Sequence, residues 1–306
     1  MFNSTLIYGI FLMFVSTIFF AAMNAIIKYL NLMGYSSMEN VFFRAFFMLL
    51  SVYSLVLFAP AIKHFVPKFQ APQLRAKKKG GFKHILLRGL LGGVAVSMCY
   101  YNFATIPLGI ATAFLQSTPI FVAFFACFTK NKPSFFVIMA TIIGFLGVLF
   151  VANPEQSGIP LINAILGIIG AICAAAAFFT IPQLKPFYTS EAVVAWYGIT
   201  MSVVGIFGMC LNIDKMGGFI MPSLFDWGLF ILTGIMGAIG QWFMTKSYMF
   251  APPGIVSPIG YMRIVWSIFF GVMLGDAFPN LLPSLGIALI LFSGMLVSFD
   301  AYRKRQ

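Results

Sequence analysis

Ten runs of apolar residues, parted by short polar or Pro- and Gly-marked breaks, organise this chain: about 5–29, 38–59, 84–105, 108–128, 135–152, 161–180, 190–212, 225–249, 252–274 and 281–299. Each is long enough, at about 17 to 25 residues, for a helix to cross a hydrocarbon core of roughly 30 Å. The pattern predicts an all-α integral membrane protein with ten transmembrane helices. The first run is too long for a secretory leader, has no basic residue ahead of it and reaches Lys28 without a small-residue cleavage site. It is expected to be retained as a helix.

A second pattern lies on top of the first. The stretch from Arg88 to Ala111 recurs, loosely, from Thr233 to Val256 at a constant offset of 145 residues. Gly89 meets Gly234, Gly92 meets Gly237, Phe103 meets Tyr248, Pro107 meets Pro252 and Gly109 meets Gly254. Small residues let membrane helices approach closely, and a Pro-x-Gly break then turns each long helix into the next. Weaker echoes pair Glu39 with Glu191 and Gly9 with Gly167. The expected architecture is two five-helix repeats, residues 1–154 and 155–306. Because five is odd, the second enters the membrane from the opposite face, which makes the repeats inverted in topology.

Composition agrees with a life in lipid: 61% of residues are hydrophobic and 8% are charged, where a soluble domain has about a quarter charged. The excess of 19 Lys and Arg over 7 Asp and Glu does not point to nucleic acid, because the basic residues cluster between the apolar runs. Lys63, Lys68, Arg75, Lys77, Lys78, Lys79, Lys83, Arg88, Lys130, Lys132, Lys185, Arg303, Lys304 and Arg305 fall on the side of the termini. Opposite lie Lys28 and Lys215 with Glu39, Glu155, Asp214, Asp226 and Asp276. The positive-inside bias places both termini in the cytoplasm. The basic loop from Lys63 to Lys83 is read as topology plus attraction to anionic lipid headgroups. Cys99, Cys127, Cys173 and Cys210 lie at irregular spacing inside apolar runs, so neither a disulfide framework nor a metal site is expected.

Four segments together carry a family resemblance: ENVFFRAFF (Glu39 to Phe47), RGLLGGV followed by YYNFATIPLGIATAFLQSTPIF (Tyr100 to Phe121), IIGFLGVLFVANP (Ile142 to Pro154) and GDAFP (Gly275 to Pro279). In their order and spacing the chain resembles the ten-helix EamA-type transporters of the drug/metabolite transporter superfamily over nearly its whole length. Within that group it is similar to bacterial S-adenosylmethionine uptake carriers. It departs at TKNKPS (Thr129 to Ser134), which is basic where the family has an acidic residue after the fourth helix, whereas Asp276 keeps the matching place in the second half. The resemblance implies a bacterial inner-membrane carrier of a small metabolite, with membrane lipids around it, no nucleic-acid partner, no cofactor, and room for a homodimer.

Depth then singles out residues. Arg263 stands about eleven residues into the ninth run, roughly 16 Å down at 1.5 Å per residue and near the bilayer midplane. No Asp or Glu lies deep in any run to pair with it, so a polar cavity or an anionic substrate group is the expected partner. Lys246 sits near the cytoplasmic end of the eighth run and either faces the cavity or snorkels to the interface. Arg44, about seven residues into the second, is read as reaching outward or pairing with Glu39. Lys28 and Arg88 are read as interfacial anchors.

Polar stripes add Thr112 and Gln116 in the fourth run and their repeat partners Ser257 and Tyr261 in the ninth. Ser97, Tyr100 and Tyr101 mark the third, and Gln241, Trp242, Thr245 and Tyr248 the eighth, with Asn24 in the first. Pro119 and Pro258 are expected to kink the fourth and ninth helices. The candidate substrate-binding set is Arg263, Tyr261, Gln116, Tyr101, Tyr100, Gln241, Trp242, Lys246 and Asn24. Aromatic rings and amides suit a flat or zwitterionic metabolite, and arginine favours a carboxylate or phosphate.

No nucleophile with its base, metal cluster or carboxylate pair occurs at depth, which argues against an enzyme. With His64 and His84 in or beside the basic loop and no deep acid, exchange or facilitated diffusion is expected over proton symport. The sequence-level alternatives are a flippase for lipid or lipid-linked molecules, and a channel.

Overall fold

A computed structural model describes residues 2–65, 71–106, 108–128, 133–152, 160–211, 213–273 and 281–303. Lys68, Pro107, Lys130, Lys132, Glu155, Asp276, Lys304 and Arg305 lie outside the described residues. Helices α1 (Phe2–Leu32), α2 (Ser37–Leu57), α3 (Ala59–Phe65) and α4 (Phe82–Thr105) are followed by the short α5 (Leu108–Leu115) and α6 (Thr118–Cys127), then α7 (Phe135–Ala152). The second half has α8 (Leu161–Leu184), α9 (Ser190–Met209), α10 (Leu224–Phe250), the one-turn α11 (Pro253–Val256), a 3₁₀ turn (Ser257–Tyr261), α12 (Met262–Met273) and α13 (Leu281–Arg303). Among the described residues, seven helical segments are long and apolar enough to cross a membrane, and three shorter apolar helices accompany them at Thr118–Cys127, Phe135–Phe150 and Ser284–Leu296.

Local chemistry explains where the helices begin. Ser36 caps α2, accepting from the Glu39 amide while the Glu39 carboxylate accepts from the Ser36 amide, a capping box that satisfies two donors at once. Glu39 also accepts from the Ile220 backbone, which ties this cap to the loop before α10. Thr189 and Ser223 cap α9 and α10 in the same way. The Tyr35 hydroxyl donates to Asp226 in the first turn of α10 at 2.8 Å. Burial first, and that bond second, raise the Tyr35 phenol above its ordinary range, so it stays a donor.

The fourth and ninth apolar runs are not the continuous helices their hydropathy suggests. α5 stops at Leu115 and α6 resumes at Thr118, with Pro119 in its first turn, while Pro258 sits in the 3₁₀ turn between α11 and α12. Proline removes an amide and crowds the preceding turn, so each run gives way to a short break. The Gln116 side-chain amide donates to the Gly260 carbonyl and thereby joins the two breaks.

α1 packs along α10 and α12, α4 along α8, α2 along α9 and α10, α9 along α4, and α13 along α7. Large apolar side chains such as Phe11, Phe124 and Phe207 clothe the outside at 58%, 58% and 71% exposure, a surface suited to acyl chains and not to water. Since lipid removes the hydrophobic drive between helices, close approach and buried polar bonds hold the bundle. Cβ atoms built on Gly89 and Gly234 would lie 2.3 Å from Thr200 and 2.2 Å from Phe47, so these repeated glycines set the α4–α9 and α10–α2 contacts. The helices they belong to also end alike: Ile106 and Ala251, 145 residues apart, are both extended, at φ −132°, ψ 163° and φ −136°, ψ 150°.

One buried amide cluster clasps α4 to α8. Asn102 donates to the Asn163 carbonyl at 3.0 Å, and the Asn163 amide donates back to Asn102 at 2.9 Å and to Thr105 at 2.6 Å. Asn163→Leu keeps the backbone carbonyl that Asn102 donates to but removes the donor to the Asn102 side-chain carbonyl and to the Thr105 hydroxyl. The expected loss is about 1–2 kcal/mol, within the range for interhelical hydrogen bonds in membranes, read as a lower melting temperature in detergent. An unchanged melt would show that the clasp contributes nothing.

Candidate functional site

The centre of the bundle encloses a cavity of about 60 Å³, lined from α1, α2, α4, α5, α8, α9, α10 and α12. Three arginines from three helices line it: Arg44 of α2, Arg88 of α4 and Arg263 of α12. Arg88 is 1% exposed and Arg44 3% exposed. Arg44 donates to the Tyr100 hydroxyl at 2.9 Å. The Arg88 guanidinium lies over Tyr197 at 4.4 Å and Phe178 at 5.6 Å, and that of Arg263 over Phe20 at 4.4 Å. Aromatic faces attract such cations, most strongly when both are out of water. Among the described residues lining the cavity there is no carboxylate.

The repeated glycines make the space. A Cβ on Gly92 would fall 2.3 Å from Arg88 Nη1 and 2.7 Å from the Tyr197 ring, and one on Gly237 would fall 3.2 Å from Arg44 Nε. Each repeat thus leaves room for one guanidinium beside a glycine where α4 meets α9 and α10 meets α2. Asn24, Gln241, Met23, Met244 and Cys99 complete much of the lining.

Of the residues singled out from sequence, Arg263, Tyr100, Gln241 and Asn24 come together here. The others do not. Tyr261 is fully buried between α7 and α13, its hydroxyl donating to the Thr141 carbonyl at 3.0 Å and its ring filling the place beside Gly144. Gln116 is committed to Gly260, and Tyr101 is half-buried away from the lining. Trp242 donates its indole N–H to Glu191 at 2.7 Å, and Lys246 lies over the Trp242 ring at 4.3 Å. These two occupy the next face of α10, because consecutive helical residues point about 100° apart.

Two arginines are placed differently from their sequence reading. Arg44 does not pair with Glu39, whose carboxylate is taken up by backbone amides, but turns inward to Tyr100. Arg88 is no interfacial anchor: it begins only six residues into α4, yet it is wholly buried against rings of α8 and α9. The missed signal was Gly92, four residues on and hence on the same helix face, which frees the volume its guanidinium occupies.

A second, much larger space lies on the outside of the α2–α10 seam. It is a groove of about 1700 Å³ between α2, α9, α10 and the 71–73 segment, lined by Phe47, Leu50, Ile235, Phe243, Trp242 and Glu191 among others. Gln241 faces the cavity and its neighbour Trp242 faces the groove, so α10 forms the wall between them.

Residues 7–153 match the model of the EamA-like transporter family. An uncharacterised transporter from Helicobacter pylori is 35% identical over 304 residues, spanning 99% of this chain and 98% of its own. The chain belongs to the EamA-like transporter family. Other relatives are more distant: a pseudopaline exporter of Pseudomonas aeruginosa is 26% identical over 95% of each chain, and a riboflavin transporter of Rhizobium johnstonii is 24% identical over 72% of each. A solved crystal structure covering 99% of this chain and 100% of its own has a TM-score of 0.73 at 13% identity, which is a likeness of fold. As a multi-pass EamA-like protein with transporters for relatives, the chain is a small-molecule transporter.

Proposed function

We propose that this EamA-like protein is a bacterial inner-membrane carrier that moves a small polar, carboxylate-bearing metabolite by alternating access, through exchange or facilitated diffusion. The observation that carries the reading is the central cavity with three arginines and, among the described residues, no lining carboxylate. Arg263, Arg44, Arg88, Tyr100, Gln241 and Asn24 form its binding set. Ten crossings in two inverted halves, 1–154 and 155–306, with both termini cytoplasmic, provide the frame. Two observations support that frame. If each helix is exchanged for its counterpart in the other half, the α1–α10 contact becomes α8–α4, the α2–α10 contact becomes α9–α4, and both α2–α9 and α7–α13 map onto themselves. The repeated glycines follow the same exchange.

Among substrates, a carboxylate with no cationic group of its own suits the cavity better than S-adenosylmethionine or a zwitterionic amino acid, whose sulfonium or ammonium would meet cations and no acid. The lateral groove favours a second reading, a flippase for lipid or lipid-linked molecules, because it is open, largely apolar and bounded by Phe47 and Phe243. Exchange of labelled metabolites in proteoliposomes, comparing wild type with Arg263→Ala, separates the two. Saturable exchange that falls at least tenfold in the variant is expected, in line with the loss of one charge-assisted contact. Exchange untouched by the change would remove Arg263 from the site, and movement of lipid alone would favour the flippase.

A further inference from the structure

The polar atoms around the cavity that reach no protein partner are all of one kind. They are Asn24 Nδ2, Arg44 Nε, Arg88 Nε and Nη1, Gln241 Nε2 and Arg263 Nε, six nitrogens that carry donor hydrogens. Four belong to guanidinium groups, which have no acceptor atom and keep their charge in proteins. Asn24, Arg44, Arg88 and Gln241 are each 3% exposed or less. Buried donors of this sort are normally satisfied, so six facing one small space describe the complement of what belongs there.

Charge sharpens the description. Tyr197, Phe20 and Tyr100 offer ring faces to the three guanidinium groups, but cation–π attraction is weaker than the hydration an ion loses on burial. A ligand with one carboxylate would neutralise one arginine and leave the other two guanidinium charges without a counter-ion. Resting on the carrier reading, we infer that the substrate class of this cavity is a compound with at least two anionic groups, carboxylate or phosphate, and a net charge of −2 or beyond. At about 60 Å³ the cavity is too small for a dicarboxylate, so such a ligand enters with the surrounding helices parted. Two charges moving per cycle make transport electrogenic unless a like anion returns, and the unloaded site, with three cations and no counter-ion lining it, resists the return. Anion-for-anion exchange is the mode this arrangement favours.

The test is melting of the purified full-length chain in detergent, at constant ionic strength, with acetate, succinate, citrate or inorganic phosphate, and with glycine and putrescine as zwitterionic and cationic controls. A ligand that binds only the folded state raises the melting temperature with its saturation. Stabilisation is expected to rise from acetate through succinate to citrate, with citrate at least tenfold tighter than acetate and no shift from glycine or putrescine. Arg88→Gln is expected to weaken citrate at least tenfold and Arg88→Lys less. Should Arg88→Gln fail to fold, the wild-type series decides alone. Acetate or glycine as tight as citrate, or no shift with any doubly charged anion, overturns the inference. A chain that exchanges zwitterions in proteoliposomes yet ignores these anions remains a carrier and loses only this inference. Citrate binding without exchange of any solute keeps the anion site and discards the carrier reading.

Discussion

The Gly234→Leu variant is expected to lose on the order of 3 kcal/mol of stability, the upper part of the usual range for overpacking. The cause is local and has no soft exit. A Cβ at this position would stand 2.2 Å from Phe47 Cβ, 2.8 Å from the Phe47 carbonyl carbon and 2.9 Å from the Met48 amide nitrogen, so backbone and not a flexible side-chain tip receives the clash. α10 would have to lift from α2, opening the seam between cavity and groove. The measurement is thermal unfolding in detergent beside Gly228→Leu, which lies on the same helix with nothing within 4 Å of its added Cβ. Equal melting of the two variants would show that the α2–α10 approach does not limit stability.

Gly92→Ala should separate stability from transport. Its methyl would displace Arg88 Nη1, the far end of a flexible side chain, and press on the Tyr197 ring. The fold has room to absorb the first shift, whereas the ligand loses a guanidinium held in place. Loss of one charge-assisted contact corresponds to about 1.5–3 kcal/mol, hence roughly 10- to 150-fold in exchange at low substrate. The melting temperature is expected to stay within a few degrees of wild type. Gly170→Ala, whose added Cβ would meet ordinary contacts at 3.4 Å and beyond, is expected to exchange normally. Exchange by Gly92→Ala at the wild-type rate would mean that Arg88 does not touch the substrate.

The helical membrane character and the positions of the apolar runs were legible because hydropathy over some twenty residues is a property of the run itself; the fifth, 135–152, coincides with α7. The breaks were legible only as kinks. The breaks at Pro119 and Pro258 are joined by Gln116 reaching Gly260 across the structure, a contact no local pattern contains. The inward position of Arg263 followed from its depth. Arg88 escaped the same reasoning, since six residues from a helix start is within reach of an interface, and its ring partners Phe178 and Tyr197 come from helices far along the chain. On α10 the polar stripe divides between two faces: Gln241 turns to the cavity, while Trp242 bonds Glu191 on the adjoining face and lies under Lys246.

The two glycine pockets are alike, but what fills them is not. Arg88 comes from the same helix as Gly92, whereas Arg44 reaches Gly237 from another helix. Arg263 has no cationic counterpart at all, because the residue 145 positions before it is Thr118. An even frame therefore holds a lopsided field. In the proposed carrier, a ligand seated within it would have different charges behind it on its two ways out, so the rates of escape toward the two sides of the membrane could be tuned by separate residues without altering the scaffold that both share.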